Sequence, residues 1–148
     1  MWDKILEKIP QAKFYVIGRG MGDKISTLSK PHVVVIGKIQ NAEKVYHHYS
    51  TMVVPLLSGS GMRIKMIEGM AYAKPIVSTS IGAEGIAVTN NKNCLLADNA
   101  TDFANAVIEI LNNEERRKSL QKEARNFIEQ YFENTTLVKQ LVNFYRTL

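Results

Sequence analysis

Four short runs in this chain are apolar nearly from end to end: Phe14-Tyr15-Val16-Ile17, Val33-Val34-Val35-Ile36, Met52-Val53-Val54 and Ile76-Val77-Ser78, with a weaker fifth at Cys94-Leu95-Leu96-Ala97. A strand with one face in water alternates apolar and polar residues. Runs without that alternation fit strands buried on both faces of a parallel sheet. Between them, Asp23 to Leu28, Asn41 to Tyr49 and Met62 to Ala73 have helical length or periodicity, the last with Met62, Met66, Ile67, Met70 and Ala71 on one stripe. Lys74 and Pro75 close that helix and open the next strand. Strand, break and helix in repetition are βα units, so the class is α/β. After Asn99 only helices are expected, over Asp102 to Leu111, Glu114 to Phe132 and Thr136 to Leu148. The chain also opens on a helical spacing, Trp2, Ile5, Leu6 and Ile9, ended by Pro10.

At 148 residues, with 45% hydrophobic and 22% charged side chains, the chain fits one ordinary domain with a packed core. No apolar run reaches the eighteen or so residues of a membrane span. Asp3, Lys4, Glu7 and Lys8 interrupt the N-terminus where an export signal would be unbroken. Cys94 has no second cysteine to pair with, so a reducing compartment, the cytosol, is expected. The formal charge of +5 favours anionic partners. Blocks of like charge that would mark a nucleic-acid tail are absent, so nucleic acid is not expected. His32, His47 and His48 form no metal signature, and no metal site is expected. A G-x-S-x-G elbow is also missing, which argues against a hydrolase.

The strongest local signal is Ser58-Gly59-Ser60-Gly61, directly after the run Val53, Val54, Pro55 and directly before an amphipathic helix. Glycines let the backbone approach a ligand closely, and a helix N-terminus offers unpaired N–H groups and a partial positive charge that Ser60 is placed to cap. Arg63 and Lys65 add full positive charge near that helix start, where an anion would offset their conflict with the helix dipole. Phosphate is the natural ligand. A plain βα turn, with glycine easing the connection and Ser60 only capping, accounts for the same residues. Glu68 stands eight residues past Ser60, about 12 Å along a continuous helix, the reach of a diphosphate and a ribose. A carboxylate accepts two hydrogen bonds from a vicinal diol; Glu68 is equally placed to pair with Lys65. Gly18-Arg19-Gly20-Met21-Gly22 fails the dinucleotide fingerprint, because its third glycine comes too early and Gly37 and Lys38, not an acid, end the next strand.

The stretch from Pro55 to Thr79, with Ser58-Gly59-Ser60-Gly61-Met62-Arg63 at its start, Glu68-Gly69-Met70-Ala71 at its centre and Pro75-Ile76-Val77 near its end, resembles the nucleotide-sugar motif of the retaining glycosyltransferases called group 1. Asn93 to Asp98, the helix from Phe103 to Leu111 and the helix from Arg116 to Tyr131 look like the same family's C-terminal half. The resemblance implies a Rossmann-like, doubly wound parallel sheet of about five strands followed by C-terminal helices. That is the donor-binding half of a GT-B fold. It further implies that Gly61, Met62, Arg63 and Ile64 present backbone N–H groups to the donor phosphates and sugar, that Glu68 holds the ribose hydroxyls, and that Lys38 and Ile39 border the base. The donor would be a nucleotide-diphosphate sugar, with no cofactor, and no catalytic residue is assigned. Residues 1–133 would form a partial donor-binding domain and 134–148 a helix that packs on a partner domain.

Two departures from the family pattern shape the remaining expectations. The first acid of the family's E-x7-E pair is Ser60 here, so the usual carboxylate contact to the donor sugar is replaced. The family's first strand, with its diphosphate-clamping Arg and Lys, would precede the Trp2 helix. In the family strand order 3-2-1-4-5-6 that strand is central, so the first and third strands of this chain should pair directly or borrow a neighbour. The N-terminal acceptor-binding domain would be a partner outside these residues, and the isolated chain is expected to be inactive. Leu137, Leu141, Phe144, Tyr145 and Leu148 form an apolar stripe that either self-associates, packs on that partner or covers the domain's own sheet. Two other readings stay open: a GT-B sugar-nucleotide epimerase, and a degenerate domain that binds nucleotide or a protein without turnover. At the family level the full-length enzyme works at the cytoplasmic face of a membrane, to which the basic charge adds peripheral contact.

Overall fold

Every apolar run becomes a strand: β1 Phe14–Ile17, β2 Val33–Gly37, β3 Met52–Val54, β4 Ile76–Ser78 and β5 Leu95–Leu96. The helices are α1 Trp2–Lys8, α2 Ala42–His48, α3 Ile64–Ala71, α4 Ala100–Asn112, α5 Glu114–Tyr131 and α6 Asn134–Arg146. The structure, a computed structural model, describes residues 1–148 apart from Asp23, Lys24, Ser26 and Leu148. The helix expected over 23–28 and the last residue of the terminal stripe therefore lie at least partly outside the described residues. Asparagines start three helices. Asn41 accepts from the Glu43 and Lys44 amides, Asn99 from those of Thr101 and Asp102, and Asn113 from that of Arg116.

All strand pairs are parallel, and they fall into two sheets, β1-β2 and β3-β4-β5. In the triplet, Val53 pairs with Val77 and Val77 with Leu95. Among the described residues, direct pairing of the first and third strands is not formed. The pair is tied to the rest through side chains instead. Trp2 of α1 lies 5.8 Å, centroid to centroid, from Phe14, and Tyr15 lies 4.4 Å from Tyr49. Ring contacts, and no backbone ladder, join these elements.

Successive residues of β4 face opposite sides. Ile76 joins one core with Val54, Met66, Met70, Ala124, Phe127 and Ile128, while Val77 joins a second with Ile5, Leu95, Phe103, Val107, Ile110 and Leu120. Helices α3 and α5 therefore cover one face of the triplet, and α1 and α4 the other. This is the doubly wound arrangement. Burial on both faces holds for β4, where Ile76, Val77 and Ser78 are fully enclosed. It does not hold for β1 and β2, whose residues are half-buried apart from exposed Ile36. A two-stranded sheet with no ladder to the triplet has less structure packed on its faces.

The C-terminal helix buries none of its residues. Leu137, Val138, Leu141, Val142, Phe144 and Tyr145 are all exposed, so α6 does not cover the domain's own sheet. The contrast with α4 gives a direct check. Ile110→Ala, in the fully closed second core, is expected to lower stability by about 2–5 kcal/mol. Leu141→Ala is expected to change it by no more than about 0.5 kcal/mol. Chemical denaturation of both variants measures this, and equal losses would contradict the packing described.

Candidate functional site

The carboxyl ends of β3, β4 and β5 gather one set of loops, the end of an open parallel sheet where ligands bind. The loop from Ser58 to Arg63 leaves β3 and turns at Gly59 (φ +128°) and Gly61 (φ +82°), conformations that side chains disfavour. Helix α3 begins only at Ile64, with Arg63 at its N-cap and no side-chain cap. Ser60 therefore does not cap the helix. The left-handed turn at Gly61 places Ser60 outside the first turn, and Glu68 is not joined to Ser60 by one continuous helix.

Arg63 folds back over this loop. Its Nη1 donates to the Ser60 carbonyl at 2.5 Å and to the Gly61 carbonyl at 2.6 Å. Its Nη2 occupies the space a side chain at Gly59 would need, 2.7 Å from that added Cβ. Among the described residues the buried Nε of Arg63 has no partner, and the N–H groups of Gly61, Met62, Arg63 and Ile64 donate to no protein acceptor. The result is a small turn lined with unpaired donors and one guanidinium, the chemistry that receives an oxyanion.

The loop after β4 supports it. The Thr79 hydroxyl donates to the Leu56 carbonyl at 2.6 Å and accepts from the Gly82 amide at 3.0 Å. Gly82 lies so close to β3 that an added Cβ would stand 2.7 Å from the Val54 carbonyl oxygen. A Cβ on Gly85 would lie 3.5 Å from Met62 Cα, so this turn backs the Ser58–Arg63 loop. Asp98 clasps the far side, accepting from the Ser80 amide and hydroxyl, each at 2.7 Å. These two hydrogen bonds hold its carboxyl below the usual carboxylate range. Sequence reasoning assigned no role to Gly82, Gly85 or Asp98, although two glycines just after a buried strand were the available signal.

Glu68 sits on α3 with two donors on one oxygen: Lys65 Nζ at 2.6 Å and the Tyr46 hydroxyl at 3.1 Å, both to Oε2. The Lys65 hydrogen bond is the largest influence holding the carboxyl low, against a smaller opposing effect of burial. Tyr46 was not singled out by the sequence; nothing local distinguishes it from a core aromatic. Lys38 is exposed, and Ile39 helps line an open hollow of about 480 Å³ with Asn41, Lys44, His48 and Tyr49. Among the described residues no hydrogen bond, ion pair or ring contact joins Lys38 or Ile39 to the 58–68 segment. Their link to Glu68 runs through α2, which carries Tyr46.

Among the described residues no group of three His, Cys, Asp or Glu side chains is placed to hold a metal. Burial pushes the Cys94 thiol up to about 12, which makes it inert as a nucleophile. Among the described residues no helix is long and apolar enough to cross a membrane.

Residues 1–113 match the sequence profile of the family described as glycosyl transferases group 1. The chain belongs to that family. An uncharacterized glycosyltransferase of Methanocaldococcus jannaschii is 32% identical over 104 residues, covering 68% of this chain and 29% of that protein. Among solved structures, TarM of S. aureus, in a complex that includes UDP, superposes with a TM-score of 0.82 at 22% identity over 95% of this chain and 30% of its own. HepE of Anabaena in complex with UDP does so with a TM-score of 0.82 at 15% identity over 99% of this chain and 45% of its own. The chain thus spans less than half the length of each of these glycosyltransferase-like relatives. Its fold is the Rossmann-like C-terminal half of the GT-B architecture.

The Ser80–Asp98 clasp gives the site a predictable acid response. Because the folded-state value of Asp98 lies below its ordinary one, the clasp stabilises fully above about pH 5 and weakens as pH falls through and below about 4. The stability difference between wild type and Asp98→Asn should be constant near neutrality and shrink in that acid range. Denaturation midpoints across pH measure it; a difference independent of pH would remove the clasp as its origin.

Proposed function

We propose that this chain is the donor-binding portion of a glycosyltransferase that transfers a sugar, with retention, from a nucleotide-diphosphate sugar to an acceptor. The observation that carries the reading is the Ser58–Arg63 loop, with the unpaired N–H groups of Gly61, Met62, Arg63 and Ile64 around the Arg63 guanidinium. In the proposed scheme these groups bind the donor diphosphate and offset the charge that develops on it as the glycosidic bond breaks. Glu68 accepts from the ribose hydroxyls, and Lys38 and Ile39 border the base. UDP in the TarM and HepE complexes supports a nucleoside diphosphate as the ligand class. Neither cofactor nor metal is required. The acceptor-binding domain lies outside these residues, so the chain by itself is inactive, and the full-length enzyme touches the cytoplasmic membrane face through its basic surface.

The test is calorimetric titration of the chain with UDP, GDP and ADP, with and without an attached sugar, and with the corresponding bare nucleosides. One base is expected to bind in the micromolar to millimolar range, its nucleoside diphosphate at least about tenfold tighter than the bare nucleoside. Binding of none of them, or equal binding of nucleoside and diphosphate, would overturn the reading and favour a degenerate domain.

We also infer that residues 134–148 form a docking element, because α6 presents a continuous apolar face. At high concentration the chain is expected to self-associate through it, and Leu141→Glu with Phe144→Glu should restore the monomer. Sedimentation showing a wild-type monomer under the same conditions would count against pairing of two copies.

A further inference from the structure

Helix α2 buries a single residue, Tyr46. Its ring stacks on Tyr72 with centroids 4.9 Å apart and planes within 11°. Its edge lies against α3 at Gly69, where an added Cβ would stand 3.7 Å from Tyr46 Cε1 and 2.8 Å from Met52 Sδ. The ring therefore packs at ordinary contact distance over the backbone of Gly69, while the close approach that glycine permits there is that of Met52. Glu68 is the preceding residue, and this packing delivers the tyrosine hydroxyl to its Oε2.

The division of labour on this carboxylate is uneven. Oε2 accepts from both Tyr46 and Lys65, which uses its two lone-pair directions. Among the described residues Oε1 has no partner. Lys65 keeps 68% of its side chain exposed, so its ion pair is screened and readily exchanged for solvent. The Tyr46 bond is part-buried and rests on a ring fixed by packing. Burial, together with the neighbouring carboxylate, raises the Tyr46 hydroxyl far above its ordinary value, so at neutral pH it is a donor to the ionised Glu68.

We propose that Tyr46 is a positioning residue: by fixing Oε2 of Glu68 it leaves Oε1 as the acceptor for the ribose diol, and so sets a preference for ribo- over 2′-deoxyribonucleotides. The inference rests on the donor-binding reading and adds to it the group that orients the acid and the selectivity that follows. A carboxylate free to rotate would accept from the diol only after being ordered, which weakens the contact. A fixed one discriminates against a sugar that lacks the 2′-hydroxyl.

The experiment titrates wild type, Tyr46→Phe and Glu68→Gln with UDP, GDP and ADP and with their 2′-deoxy counterparts, with thermal midpoints recorded for each variant. Tyr46→Phe keeps the ring and its contacts. Wild type should prefer the ribo form of its nucleotide by about tenfold. Tyr46→Phe should reduce that preference about fivefold while leaving the deoxy affinity within about twofold, and Glu68→Gln should abolish it. A merely structural tyrosine would weaken both ligands alike, so an unchanged ratio in Tyr46→Phe beside a lost ratio in Glu68→Gln would overturn the positioning role alone. No binding by wild type, or a ratio unaffected by Glu68→Gln, would overturn the donor-binding reading and this inference with it.

Discussion

Ile76 and Val77 are adjacent in β4 yet belong to different cores, and the helices that set the site are anchored to one or the other. Met66 and Met70 fix α3 against the Ile76 side, with Phe127 and Ile128 of α5 behind them. The Val77 side binds α4 and the opening helix through Ile5 and Ile110. Burial of this kind supplies most of the stabilisation of a small domain. It also dictates where the loops go: with β3, β4 and β5 parallel and their helices returning on either face, the chain crosses the same sheet end at Ser58, at Ser80 and at Asp98.

That convergence was readable in part. Apolar runs located every strand, and β1, β3 and β4 begin and end where Phe14, Ile17, Met52, Val54, Ile76 and Ser78 placed them. Pro10 and Pro75 bounded the helices before them because the effect of proline acts within a few residues. The start of α3 was harder. Ser60 is a good cap by type, but Gly61 in a left-handed conformation turns the chain before the helix begins, and a backbone angle leaves no trace in composition. Ladder partners were harder still, since an apolar run records that a strand is buried without recording which edge it pairs.

The site divides along the same line. Ser58 to Arg63 and Glu68 were legible because the glycine-rich loop and the helix are contiguous in the chain. Tyr46 was not, because it reaches Glu68 from 22 positions away and its ring is placed by tertiary packing on Tyr72 and α3. Arg63 is more than a free charge near the helix start. Two of its hydrogen bonds go to the loop's own carbonyls, so its charge is held within the turn, and in the proposed donor-binding role it would need little reorganisation to meet an anion.

The separation of the two sheets has a mechanical side. Tyr46 belongs to the helix that follows β2, and Glu68 to the helix that follows β3, so their hydrogen bond ties one βα unit to the next through side chains. Among the described residues the β1-β2 pair is joined to its surroundings by ring contacts such as Trp2–Phe14 and Tyr15–Tyr49, with no ladder to the triplet. A ligand that engaged Glu68 would act on a carboxylate already tethered to α2 through Tyr46, so its contact would also bear on how firmly α2 is held to α3.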